Sequence, residues 1–230
     1  MNNFSNNKYR VVEKFVSVNG EGLRAGQLAV FIRFAVCNLD CSYCDTRWAN
    51  TESVAHTLMT ADEIYEYIKT TKVRNITLTG GEPLLQDGLG ELIDLLGRDD
   101  SLYVEVETNG SVPLAPFRGA VEGKPYPSFT MDYKLPSSLM EQKMNLDNFK
   151  VLTKQDTVKF VSGSMEDLLK VKALIDEYDL VTKTNVYISP VFGNIEPADI
   201  VEFMKENNLI DVTLQIQMHK IIWDPEVKGV

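Results

Sequence analysis

Cys37, Cys41 and Cys44 are the only cysteines of this 230-residue chain, spaced C-x3-C-x2-C with Tyr43 just before the last. Three thiolates so close together suit an iron–sulfur cluster, and because such clusters normally take four, one iron is left for another ligand. An odd number of cysteines in one short loop, with no charged-then-apolar leader at the N-terminus, speaks against a disulfide framework. The competing chemistry is a structural zinc site, which needs a fourth ligand. His56, twelve residues past Cys44, is the histidine nearest in sequence and fits no recognised finger spacing.

Other residues capable of chemistry lie scattered along the chain. Thr79-Gly80-Gly81-Glu82-Pro83 pairs two glycines, which let a ligand approach the backbone, with an acid able to meet an ammonium. Taken alone, such a pair is also the ordinary means of making a tight turn. Glu105 and Glu107 alternate just before Thr108-Asn109-Gly110, and two glutamates on a buried strand need partners. Arg33 stands inside the apolar run Val30 to Val36, where a charge is expensive without a fixed anion. Lys134 after Asp132-Tyr133 reads either as a solvated flank or as a ligand contact.

The elements that must position these groups alternate between apolar strand-like runs and helical segments, the pattern of a parallel α/β sheet. Strands are expected at Val11–Val18, Leu28–Val36, Asn75–Thr79, Tyr103–Glu107, Ser128–Tyr133, Thr157–Val161, Asn185–Ser189 and Thr213–Gln217. Helices are expected after the caps Thr60 and Ser164, over Leu84–Leu96, and from Pro197 to about Asn208, with a Pro/Gly-rich loop over Val112–Pro127. The polar groups fall just after strands: Cys37 after Val36, Gly80 after Thr79, Thr108 after Glu107, Lys134 after Tyr133 and Ser189-Pro190 after Ile188. In a parallel barrel these positions converge on one face, where ligand sites form. A composition of 44% hydrophobic and 24% charged residues is that of a globular domain, and one domain over 1–230 is expected. The net charge of −10 argues against broad capture of nucleic acid, and no run suits a bilayer, so a cytoplasmic protein without direct nucleic-acid or membrane contact is expected.

The cysteine spacing and its aromatic residue resemble the signature of the radical S-adenosylmethionine enzymes, and Gly80-Gly81-Glu82 is similar to that family's GGE motif. Val18-Asn19-Gly20-Glu21-Gly22, Phe31-Ile32-Arg33-Phe34, Cys44-Asp45-Thr46 and Gln217-Met218-His219-Lys220 with Trp223 extend the likeness to one branch, the 7-carboxy-7-deazaguanine synthases of the queuosine pathway. The resemblance implies an incomplete TIM-like β/α barrel of about six mainly parallel strands, a truncated radical core. It implies a homodimer served by an electron donor such as flavodoxin or ferredoxin. The implied reaction converts 6-carboxy-5,6,7,8-tetrahydropterin into 7-carboxy-7-deazaguanine with loss of ammonia. In it, S-adenosylmethionine is cleaved at a reduced 4Fe-4S cluster, and the 5′-deoxyadenosyl radical takes hydrogen from carbon-6 of the pterin before returning it.

On this likeness Cys37, Cys41 and Cys44 hold the cluster and Thr46 a magnesium ion shared with substrate. Substrate contacts are expected from Val18, Asn19, Gly20, Glu21, Arg33, Thr79 and Pro225, with Arg33 clamping the pterin carboxylate. Cofactor contacts are expected from Tyr43, Cys44, Asp45, Gly81, Glu82, Asn109, Asp132, Tyr133, Lys134, Ser189, Pro190, Val191 and Phe192. One departure stands out: the family's first motif most often reads Gln-Gly-Glu-Gly, whereas Asn19 carries its amide on a stem one methylene shorter. Two other readings are weighed. A glycyl-radical activating enzyme shares the cysteine spacing, but commonly has His-Asn where this chain has Asp45-Thr46 and lacks the pattern from His219 to Trp223. A non-enzymatic zinc scaffold has no use for Gly80-Gly81-Glu82.

Overall fold

The computed structural model describes residues 7–121 and 124–224, together with 227 and 229. Its strands are β1 (Tyr9–Val18), β2 (Leu28–Phe34), β3 (Thr57–Met59), β4 (Asn75–Gly80), β5 (Tyr103–Thr108), β6 (Gly119–Val121), β7 (Lys124–Tyr126), β8 (Ser128–Tyr133), β9 (Thr157–Ser162), β10 (Asn185–Pro190) and β11 (Val212–Leu214). The helices are α1 (Ala61–Thr71), α2 (Leu89–Leu96), α3 (Met165–Tyr178), α4 (Leu180–Lys183), α5 (Pro197–Glu206) and α6 (His219–Ile222). Nine strands form one sheet in the order β11-β10-β9-β8-β5-β4-β2-β1-β3, and β6 and β7 form a separate hairpin within the stretch expected to be loop.

From β2 to β11 every neighbouring pair runs parallel. β1 and β3 pair antiparallel at one edge, so the first apolar run does not belong to the parallel set. The nine residues between β1 and β2 are too few for a parallel crossover, which needs a dozen or more, and a hairpin is the only return available. The expected helix Leu84–Leu96 is interrupted. A 3-10 turn over Pro83–Leu85 comes first, and Gly88 at φ 73 resets the chain before α2. The expected caps hold: Thr60 and Glu63 form a reciprocal capping box, Ser164 accepts from the Asp167 amide, and Pro197 opens α5.

Strict alternation gives the sheet two unlike faces. One carries Ile32, Phe34, Ile76, Leu78, Val104, Val106, Phe129, Met131, Val158, Phe160, Val186 and Ile188, all buried. It joins the buried sides of the helices, including Ile64, Ile68, Leu92, Leu96, Leu168, Val171, Ile200 and Phe203, in the hydrophobic core. Each such side chain contributes about 1.5–3 kcal/mol by leaving water. The opposite face carries Arg33, Thr79, Glu107, Thr130, Asp132 and Lys159, and those residues line a cavity. Here the strands depart from the continuous apolar runs of a sheet buried on both sides. No helix among the described residues is long and apolar enough to cross a membrane.

Candidate active site

The cavity has a volume of about 580 Å³ and opens at the C-terminal ends of the parallel strands. Cys37, Cys41 and Cys44 line one side; Asn19, Gly20, Glu21, Arg33 and Thr79 line another; Asp132, Lys134, Val191 and Phe192 complete it. Register explains the floor. Arg33 lies beside Thr79, Glu107 beside Thr130 and Asp132 beside Lys159, and cross-strand partners share a face.

The cysteine loop leaves β2 through Val36 at φ 76, a costly conformation for a β-branched residue. Three backbone hydrogen bonds hold it there: Val36 N–H to Ala49 O at 3.0 Å, Cys37 N–H to Asn50 O at 3.2 Å, and Glu82 N–H to Val36 O at 2.7 Å. The Gly80–Gly81 turn must approach this strained backbone closely. A Cβ on Gly81 would stand 2.1 Å from the Val36 carbonyl oxygen, and one on Gly80 2.5 Å from that of Phe34. The paired glycines therefore bring the ends of β2 and β4 together.

All three thiols are free. Cys37 Sγ accepts from Leu39 N–H at 3.4 Å and from Asn109 Nδ2 at 3.6 Å, and Cys44 Sγ accepts from Asn50 Nδ2 at 3.5 Å. Burial raises the Cys37 thiol, and it pushes Cys41 up to about 11 against the opposing charge of Lys134. Metal binding must displace those protons, so the N–H donors to sulfur matter: they stabilise the thiolate once it forms. Among the described residues no three His, Cys, Asp or Glu side chains are gathered to hold a single ion. A cluster gives each thiolate its own iron, and the three cysteines around one cavity fit that group.

Several expected ligands face elsewhere. Glu82 is wholly buried behind the cavity wall, where it accepts from Leu84 N–H (3.0 Å), the Thr108 hydroxyl (2.9 Å) and Asn109 N–H (2.7 Å). Its carboxylate fastens the β4 turn to the β5 turn. Burial raises it to about 7, against those three donors. Tyr133 points into the core, with its ring 5.6 Å from that of Phe149 and 5.8 Å from that of Phe160, because it alternates with Asp132 and Lys134. Ser189 and Pro190 are buried and do not line the cavity, whereas Val191 and Phe192 do. Tyr43, Asp45, Thr46, Gly81 and Asn109 line it as expected; Pro225 lies outside the described residues.

The segment between β1 and β2 is held from three directions. Asn19 N–H donates to Gln27 O and Gly26 N–H to Asn19 O, and the Asn19 amide reaches Glu105 at 3.3 Å, leaving its own oxygen buried without a partner among the described residues. Gly22, at φ 75, exchanges hydrogen bonds with the Gln215 side chain, and a Cβ there would sit 2.7 Å from Glu105 Oε1. His219 lies against Gly20, and Lys220 reaches Asp45 at 3.4 Å. The C-terminal motif thus touches both the first motif and the cysteine loop.

The floor is rich in charge. Arg33 Nε donates to Glu13 at 2.6 Å, and one terminal nitrogen approaches Gly80 O at 3.4 Å. Lys159 pairs with Glu21 and stands 3.4 Å from Asp132, which Lys134 meets at 2.9 Å. Burial alone would neutralise Asp132; Lys134 and Lys159 outweigh it and hold the carboxyl below its ordinary range. Glu105 is sealed beneath Gly22 by Thr130 and Asn19. Glu107 opens to the cavity with Thr79 as its hydrogen-bonding neighbour, and burial together with Glu105 raises it to about 7. Sequence reasoning missed Lys159, although a lone lysine in Thr-Val-Lys-Phe-Val is the same signal that singled out Arg33.

Known proteins resemble this chain along its whole length. Residues 31–122 match the family model described as the radical SAM superfamily, a span that contains the cysteine loop and the Gly80–Gly81 turn. The 7-carboxy-7-deazaguanine synthase of Clostridium acetobutylicum is 63% identical over 222 residues, covering 96% of this chain and 99% of the relative. That of Chlorobaculum tepidum is 34% identical over 223 residues, covering 96% of each. The crystal structure of QueE from Escherichia coli superimposes with a TM-score of 0.72 at 20% identity, covering 91% of this chain and 94% of that one, and so shares the fold. Near-complete coverage at such identity, over the cavity just described, leaves one conclusion: the chain belongs to the 7-carboxy-7-deazaguanine synthase family of radical S-adenosylmethionine enzymes.

Proposed function

We propose that this enzyme converts 6-carboxy-5,6,7,8-tetrahydropterin into 7-carboxy-7-deazaguanine with release of ammonia, a step toward queuosine and related 7-deazapurines. The observation that carries the reading is the meeting of three free thiols, the Gly80–Gly81 turn and the Asn19–Glu21 segment around one cavity floored by Arg33. When bound at Cys37, Cys41 and Cys44, a 4Fe-4S cluster with S-adenosylmethionine supplies the radical that abstracts hydrogen.

The chain's own residues bind, orient and exclude water. Arg33 spends its Nε on Glu13 and one terminal N–H on the Gly80 carbonyl, and its remaining terminal N–H groups serve the pterin carboxylate, a charge-assisted contact in a desolvated floor. Val18, Asn19, Gly20 and Glu21 face the pterin ring, with Thr79 beside it. The unpartnered Asn19 oxygen is an acceptor suited to a ring N–H, so the shorter stem still offers a contact. S-Adenosylmethionine lies against Tyr43, Cys44, Asp45, Gly81, Asn109, Asp132, Lys134 and the Val191–Phe192 segment. Glu82 serves the cofactor indirectly, by fixing the backbone of Gly81 and Asn109. Thr46 offers its hydroxyl to a hydrated magnesium ion that the substrate helps to hold. Glu107, raised to about 7 by burial and by Glu105, stands at its protonation midpoint near neutral pH and can hold or release a proton in the cavity.

The sheet, in this reading, is an incomplete β/α barrel forming one domain over 1–230, and the molecule works in the cytoplasm as a homodimer fed by a flavodoxin- or ferredoxin-like donor. The test is anaerobic reconstitution with iron and sulfide, then incubation with reductant, S-adenosylmethionine and the carboxypterin. The expected result is the deazaguanine acid, one ammonia per turnover and no net consumption of S-adenosylmethionine. A protein that forms a 4Fe-4S spectrum yet leaves the pterin unchanged refutes the substrate assignment.

A further inference from the structure

Among the described residues, Lys159 is the one cation that touches both halves of the cavity's acidic floor. It rises from the middle of β9, with a side chain only 9% exposed, and meets Glu21 Oε2 on one side and Asp132 Oδ2, at 3.4 Å, on the other. Glu21 belongs to the segment between β1 and β2; Asp132 belongs to β8, and Lys134 also holds its Oδ2, at 2.9 Å. The second oxygens, Glu21 Oε1 and Asp132 Oδ1, are buried and have no hydrogen-bond partner among the described residues. A buried acceptor without a partner is costly unless a ligand supplies the donor. The lysine thus takes one oxygen from each acid and leaves the other without a partner, and both acids line the cavity, Glu21 on the segment assigned to the pterin and Asp132 on the strand assigned to the cofactor.

We infer that Lys159 is a positioning residue that couples the two ligand sites, holding Glu21 for the pterin and Asp132 for S-adenosylmethionine so that binding of either prepares the other. The inference rests on the assignment of those two ligands to the two segments. Its physical basis is shared ordering. The two carboxylates repel each other in a dry floor; Lys134 offsets part of the Asp132 charge, but Lys159 is the ammonium they share, so a ligand that engages one carboxylate fixes that lysine and with it the second. The ligand that arrives second finds its acceptor already aimed, and the two affinities rise together by the same factor.

The measurement is anaerobic titration calorimetry on the reconstituted enzyme with its cluster oxidised, so that nothing turns over. S-Adenosylmethionine is titrated with and without saturating 6-carboxytetrahydropterin. In the unmodified enzyme the pterin is expected to tighten S-adenosylmethionine roughly fivefold or more, and the reverse titration to give the same factor. Lys159→Met is expected to bring that factor to one with the iron content unchanged, and Lys159→Arg, which keeps a charge able to reach both acids, to restore part of it. Because methionine leaves Glu21 without its cation and Asp132 with Lys134 alone, and can cost folding, Glu21→Gln is run beside it. That change removes the charge tying the lysine to the pterin side while the lysine stays on Asp132; with pterin binding to the variant measured by direct titration and the pterin then held saturating, S-adenosylmethionine should bind alone as before and ignore the pterin. An unchanged coupling factor in either variant, or a factor of one in the unmodified enzyme, overturns the role given to Lys159. Failure of the unmodified enzyme to bind the pterin or S-adenosylmethionine at all overturns instead the functional reading on which it rests.

Discussion

Replacing Glu107 by glutamine tests the electrostatics of the cavity floor directly. In the folded protein this carboxyl is raised from 4.5 to about 7, because burial and the neighbouring Glu105 both disfavour its charge. A carboxyl raised on folding favours the folded state at low pH, and that stability is lost as pH climbs from the unfolded value through the folded one. At 1.36 kcal/mol per pKa unit, ionising Glu107 in place costs about 3 kcal/mol once the pH is well above 7. Most of that cost, about 2 kcal/mol, develops between about pH 5 and about pH 8. Glutamine keeps a polar group opposite Thr79 and cannot ionise, so Glu107→Gln should gain about 2 kcal/mol on the parent over that range. The assay is urea unfolding of both proteins at several pH values, read by circular dichroism and compared through their midpoints at equal slope. Parallel pH curves for the two proteins would mean that Glu107 titrates as an ordinary solvated acid, and the account of the floor would be wrong.

Changing any one of Cys37, Cys41 and Cys44 to alanine should abolish the 4Fe-4S absorbance after reconstitution while far-ultraviolet circular dichroism stays that of the parent; a spectrum that survives the triple change contradicts the ligand assignment. Arg33→Ala should raise the KM for the carboxypterin by about two orders of magnitude, as loss of a charge-assisted clamp does, and leave iron content intact. Loss of the cluster there would show that the Arg33–Glu13 pair is structural. Gly81→Ala forces a methyl against the Val36 carbonyl at 2.1 Å, so it should lower stability by several kcal/mol and empty the cysteine loop of iron; normal iron content at an unchanged melting temperature contradicts the close approach. Thr46→Ala should raise the magnesium concentration needed for half-maximal turnover, and an unaltered magnesium dependence removes Thr46 as a ligand.

The sequence was most legible where local chemistry and fold agree. Helix caps at Thr60 and Ser164, the parallel run of strands and the polar groups at strand ends follow from periodicity and turn residues, which act over a few positions. The antiparallel start was hidden because Val11 to Val18 is as apolar as a parallel strand, and only the short connection to β2 fixes its direction. Tyr133 was misplaced for a simpler reason: a three-residue motif on a strand cannot send all its side chains one way, and Asp132 and Lys134 take the cavity. Glu82 was read as facing a ligand because its partners, Thr108 and Asn109, are contributed by a distant turn that no local pattern reveals. Lys159 escaped notice because its meaning lies in Glu21 and Asp132, both remote in sequence.

The two unlike faces of the sheet also bear on how such an enzyme can diverge. Alternate positions of β5, β8 and β9, among them Glu107, Thr130, Asp132 and Lys159, meet the cavity, while the positions between them join the helices in the hydrophobic core. Folding stability and ligand preference are thereby written in separate, interleaved registers of one strand. A substitution in one register need not be compensated by repacking in the other, so substrate choice can drift while the apolar core stays as it is. A one-residue insertion, by contrast, exchanges the two registers and destroys both at once.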